Sequence, residues 1–154
     1  MTLNGPSLHP VELPVQSDAV EFFGHPMVRS AHPTTIEVTK DAHLTINGDC
    51  IIGVRADKGL SDLSSGVRDA LRSEGSAVTF TIVVPGKTFE FQAFGTSSLT
   101  LESVHEMVIR RSVYVCGRTL AVRAGAAAKD IPRDLVQTLR SPETKGLLRI
   151  EVRS

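Results

Sequence analysis

Apolar residues in this chain mostly alternate with polar ones, the period of a half-buried β-strand. From Pro33 to Thr39, Ile36 and Val38 fall on one face and Thr35, Glu37 and Thr39 on the other. Val78, Phe80, Ile82 and Val84 make a second alternating run, and Phe89, Phe91 and Ala93 a third. Between those two, Val84-Pro85-Gly86-Lys87 places Pro and Gly where a type II turn needs them, so the pair is expected to be a hairpin and its sheet at least partly antiparallel. Further strands are expected over 18–23, 49–55, 107–113, 119–123 and 148–152, with a tight turn at Asn47-Gly48.

Helical spacing interrupts this pattern twice. Leu60, Leu63, Val67, Ala70 and Leu71 form one apolar stripe; Ala128, Ile131, Leu135 and Leu139 form the other, with Pro132 suited to a first turn. The two stretches echo each other. VRADKGLSDLSSGVRDALRS, from Val54 to Ser73, and VRAGAAAKDIPRDLVQTLRS, from Val122 to Ser141, share seven identities in twenty positions at an offset of 68. Each lies between β-type runs, so the repeating units cover about 49–84 and 117–152. The expected fold is mainly β (α+β): an antiparallel-rich sandwich or distorted barrel with two short helices, built from two related strand–helix–strand halves. Residues 1–17, with Pro6, Pro10 and Pro14, read as a flexible arm ahead of one domain over 18–154.

A chain of 154 residues can bury roughly two thirds of its unfolded surface as one domain. Seventeen basic residues cancel seventeen acidic ones, and there is one tyrosine and no tryptophan, which argues against nucleic-acid binding. Low net charge permits a homo-oligomer. No basic-then-apolar leader and no membrane-length apolar run are visible. Cys50 and Cys116 stand outside any CxxC pattern, so a reduced, cytoplasmic protein is expected.

Candidate chemistry concentrates between Gly24 and Lys58. His25, His32, Glu37 and Asp49 are nitrogen and oxygen donors that a divalent metal accepts, although their spacing follows no metal motif. Asp57-Lys58 stands at a strand-to-helix junction where the second stretch has Gly125-Ala126. A lysine there can meet an anion and an aspartate can orient a substrate, while the plainer role is a turn cap. Cys50 and Cys116 read as small core residues. Of Arg110 and Arg111, alternation puts one along an apolar face, where it needs a carboxylate; Glu37 and Asp49 are the candidates. The expected function is binding of a polar or anionic small molecule by His25, Glu37, Asp49, Asp57 and Lys58, with Arg110 or Arg111 as the anion contact. A divalent metal and enzymatic activity both stay open. The alternative is a non-catalytic assembly module whose polar residues are caps and ion pairs.

The chain also resembles an archaeal family, the domain of unknown function 371 family. The resemblance runs from about Asp18 to the C-terminus. It is carried by Gly24-His25-Pro26, the run Thr34 to Thr39, Leu44-Thr45, the run Gly48 to Gly53, Ala56-Asp57-Lys58, Val108 to Ser112 and Arg118-Thr119. It implies a mostly β, sandwich-like fold and a cytoplasmic archaeal protein, and it implies no activity.

Overall fold

A computed structural model describes residues 15–44 and 47–154. Its strands are β1 (Val15–Phe23), β2 (Thr35–Thr39), β3 (Ile51–Gly53), β4 (Ala77–Val84), β5 (Lys87–Phe94), β6 (Glu106–Arg110), β7 (Thr119–Ala121) and β8 (Lys145–Arg153). The helices are α1 (Ser65–Leu71) and α2 (Arg133–Leu139), each preceded by a single 3-10 turn. Strand β1 begins at Val15, so residues 15–17 belong to the sheet and not to the expected arm; residues 1–14 lie outside the described ones.

Two four-stranded sheets stack face to face, ordered β1-β8-β4-β5 and β3-β2-β6-β7. The first is antiparallel throughout. In the second, β2 and β6 are antiparallel at the centre and β3 and β7 flank them in parallel. The alternating positions face inward as the pattern requires: Ile36, Val38, Met107 and Ile109 from one sheet meet Phe22, Phe80, Ile82, Leu148 and Ile150 from the other. The β4–β5 hairpin turns at Gly86, whose φ of 76° is the left-handed value that a type II turn demands. At both open edges one backbone pair ties the sheets together. Phe23 and Val54 exchange two hydrogen bonds of 2.8 Å, and Phe94 and Val122 exchange two of 2.9 Å. The result is a sandwich stitched at its seams, not a closed barrel. Among the described residues no helix is long and apolar enough to cross a membrane.

The same contacts recur in the two halves of the chain. Arg55 and Arg123 both adopt positive φ, 52° and 51°, and lay their guanidinium groups over Phe23 and Phe94. The carboxylates of Asp62 and Asp130 each accept the N–H three residues earlier, from Gly59 and Ala127, at 2.9 Å. Lys40 pairs with Asp62 as Arg111 pairs with Asp130. Gly24 and Gly95 abut the last turns of α2 and α1, where any Cβ would run into the carbonyls of Leu139 and Leu71. The strand register has the same twofold character: Glu37 faces Val108 across β2–β6, with Ile36–Ile109 and Val38–Met107 on either side. An approximate axis therefore passes between Glu37 and Val108.

The expected strands over 107–113 and 119–123 are shorter than the pattern suggested. Strand β6 ends at Arg110 because Arg111 turns away to Asp130, and β7 ends at Ala121 before the left-handed Arg123.

Candidate functional site

Around the approximate axis, on the outward side of the β3-β2-β6-β7 sheet, lies a cleft of about 310 Å³. All five residues of β2 are buried, so Thr35 and Glu37, placed by alternation on the polar face, are covered rather than solvated. His32, Thr34, Thr35, Glu37, Cys50, Val108, Arg110 and Arg118 line the cleft. They come from the segment before β2, from β2 itself, from the turn before β3, from β6 and from the turn before β7.

Glu37 is the centre of this arrangement. Its backbone N–H donates to Cys50 at 2.8 Å, and its Oε1 accepts from the Cys50 thiol at 3.6 Å. The Glu106 carboxyl lies within side-chain hydrogen-bonding reach of it as well. Burial, and then the neighbouring Glu106 carboxyl, disfavour its charged form; Arg118 opposes them, and the group titrates at about 7. Burial together with the Glu37 charge pushes the Cys50 thiol up to about 11, so it stays protonated. Cys50 is thus an unreactive thiol, though half-buried at the cleft rather than the core residue expected.

The cationic side is built from two arginines. Arg118 lies 3.7 Å from Glu106. Arg110 donates through Nε to the Thr119 hydroxyl at 2.9 Å and through Nη2 to the Cys116 sulfur at 3.3 Å, with Tyr114 stacked 4.9 Å away. Among the described residues Arg110 has no carboxylate partner and its Nη1 has no protein acceptor. Cys116 is not the core residue expected. Partial burial pushes its thiol up, but the Arg118 backbone N–H, the Thr119 hydroxyl and Arg110 outweigh that and bring it down to about 7. His32 turns its Nδ1 inward to accept from the Thr34 and Thr35 N–H groups at 3.1 and 3.2 Å and to meet the Thr35 hydroxyl at 3.0 Å. In a neutral ring the proton then sits on Nε2, leaving that N–H free to donate.

Of the residues singled out from the sequence, the cleft gathers His32, Glu37 and Arg110 and leaves the others elsewhere. His25 accepts the Met27 N–H at 3.0 Å, a local turn contact. Asp49 pairs with Arg29 at 3.7 Å. Asp57 exchanges backbone and side-chain hydrogen bonds with Glu21 on β1. Lys58 donates to Asp18 at 2.8 Å and to the Ala19 carbonyl at 2.7 Å. Burial raises the Asp18 carboxyl, but Lys58 and the Ser64 and Ala19 N–H groups hold it below the usual range. Asp57-Lys58 therefore latches β1 to the start of the α1 unit. Arg111 finds its carboxylate in Asp130, at 3.3 Å, not in Glu37 or Asp49; the paired Asp is the one that organises the 3-10 turn before α2. The residues proposed as metal ligands do not meet, and among the described residues no three His, Cys, Asp or Glu side chains gather to hold an ion. Sequence reasoning missed Glu106, Cys116, Arg118 and Thr119. Arg118-Thr119 had stood out only as a carrier of the family resemblance.

The family described as Domain of unknown function (DUF371) matches residues 20–153. The chain is also 40% identical over 117 residues to Uncharacterized protein MJ0206 of Methanocaldococcus jannaschii, a stretch covering 76% of this chain and 86% of that protein.

Proposed function

The chain belongs to the DUF371 family, and we propose that it binds a small oxyanion in the cleft at Glu37. The observation that carries this reading is the convergence of Glu37, Arg110, Arg118, His32 and Thr35 from separate segments on one cleft. Arg110 is the principal anion contact, because its Nη1 and its charge are uncommitted to any carboxylate among the described residues. A guanidinium held by Thr119 and stacked on Tyr114 has its fork fixed in advance, which lowers the entropic cost of seating an anion. Arg118 and the His32 Nε2–H supply further donors, and Glu37, lining the same cleft, is its proton-exchanging group.

The matching contacts of the two halves are best understood as an internal duplication whose copies diverged at the axis. Glu37 stands opposite Val108 there, and the thiol of Cys50 occupies the position that Arg118 takes in the second half. Two free thiols suit a reducing compartment such as an archaeal cytoplasm. The caps and ion pairs of the assembly-module alternative account for His25, Asp49, Asp57, Lys58 and Arg111, whose side-chain contacts are all internal.

Thermal denaturation in the presence of inorganic phosphate, sulfate or acetate tests the reading. Saturating anion, at about a hundred times its Kd, raises wild-type stability by about 2.7 kcal/mol. The response disappears in Arg110→Ala and survives in Asp57→Ala and Lys58→Ala. Wild-type protein whose melting ignores all three anions would sink the proposal.

A further inference from the structure

We propose that Glu37 selects among oxyanions, favouring one that keeps a proton of its own at and above neutral pH, hydrogen phosphate, over fully ionised ones such as sulfate. The inference rests on the anion reading above and adds the proton to it.

The geometry poses the problem. The cleft gathers Arg110 and Arg118 with the Glu37 carboxyl, which is only 8% exposed and has the Cys50 thiol at 3.6 Å and the Glu106 carboxyl as its hydrogen-bonding neighbours. An anion drawn to the guanidinium groups brings an oxygen against that carboxyl. Two oxygens make a hydrogen bond only if one of them carries a proton; otherwise two buried negative charges repel. Either partner can supply it. The acid form of Glu37 can donate to the anion, or a hydroxyl on the anion can donate to the carboxylate. Sulfate, having no proton at neutral pH, is restricted to the first arrangement. Hydrogen phosphate can use both.

The groups facing Glu37 decide when each arrangement operates. Glu106 and Arg110 approach from β6, Arg118 from the turn before β7, Cys50 from the turn before β3 and His32 from the segment before β2. Burial and Glu106 hold the proton on Glu37, Arg118 loosens it, and the balance falls at about 7. The Cys50 thiol, raised to about 11, stays protonated and adds no charge of its own. Below neutrality Glu37 therefore donates to either anion. Above it, sulfate must bind together with a proton taken from solvent, and its affinity falls about tenfold per pH unit, whereas an anion with its own hydroxyl escapes that penalty.

Isothermal titration of inorganic phosphate and of sodium sulfate into the full chain, between about pH 6 and about pH 8.5, tests this by one-proton linkage. The sulfate-to-phosphate affinity ratio is expected to be level at the acid end and to fall about tenfold per unit above pH 7. Glu37→Gln, whose amide donates at every pH, should keep the ratio level throughout. A wild-type ratio that does not change with pH, or a fall that persists unaltered in Glu37→Gln, overturns the selection role while leaving anion binding in place. If neither anion binds wild-type protein at any pH, the anion site itself fails and the selection role goes with it. The wild-type ratio decides the matter even if the variant folds poorly.

Discussion

A glutamate in a strand whose five residues are all buried must either lose its charge or pair it, and below neutrality Glu37 does the first. Its folded titration at about 7 lies above the ordinary 4.5, so the folded state holds the proton more tightly than the unfolded chain does. The stabilisation is therefore full below about pH 4.5 and is lost as the pH rises through about 7, a change of about 3 kcal/mol. Urea unfolding of wild type and Glu37→Gln across that range should show wild type losing about this much relative to the amide variant. A difference that stays level with pH would mean that the carboxyl is not held as a buried acid. Glu37 was legible in the sequence as a polar residue on a named face of a strand. Its burial was not, because strand parity assigns a face and says nothing of what lies over it. Cys50 and Arg118, which close the site, sit in turns whose course no local pattern fixes. Glu106 gave no signal at all, since an acidic residue at a strand's first position is ordinary.

At the level of elements, alternation located β2, β4, β5, β8 and the hairpin, and helical spacing located both helices, because each has a fully buried side to satisfy. It overextended β6 and β7, whose ends are set by side-chain contacts far away in sequence. Asp57-Lys58 shows the same limit. The second half closes the equivalent turn by a backbone bond alone, from the Gly125 N–H to the Gln92 carbonyl at 2.8 Å, matching the Asp57 N–H to Glu21 at 2.9 Å. The side chains of Asp57 and Lys58 reinforce a turn the backbone already makes. The joints that matter more are the two glycines where strands end against helices. Gly24→Ala and Gly95→Ala each force a methyl into a helix carbonyl and are expected to cost roughly 1–3 kcal/mol. Gly125→Ala, whose added Cβ would meet the Gln92 carbonyl at 3.7 Å, an ordinary contact, should change stability little. Chemical denaturation of the three variants separates these outcomes, and equal losses would refute the steric account.

For the whole molecule, the 68-residue echo understates how closely the halves match. Eleven residues separate β2 from β3 and eight separate β6 from β7, so contacts ahead of those loops match at 71 rather than 68. Phe23 with Phe94 and Gly24 with Gly95 belong to that earlier set, and a search at one fixed offset passes over them. The halves are also interleaved. The long ladders β1–β8, β4–β8, β4–β5 and β2–β6 all join residues of one half to residues of the other. Within a half, among the described residues, the short parallel pairs β2–β3 and β6–β7 and one seam bridge each remain. A half alone would therefore expose most of its strand edges and its share of the core, and should not fold. Cut at the Pro85–Gly86 turn, the two fragments are expected to be unfolded by circular dichroism when separate. Mixed, they should regain the far-ultraviolet spectrum of the intact chain as a one-to-one complex on size exclusion. Phosphate should stabilise only the mixture, because Glu37 comes from one fragment and Arg110 and Arg118 from the other. A fragment that folds by itself as a monomer would show that the ladders between halves are not what holds the sandwich together.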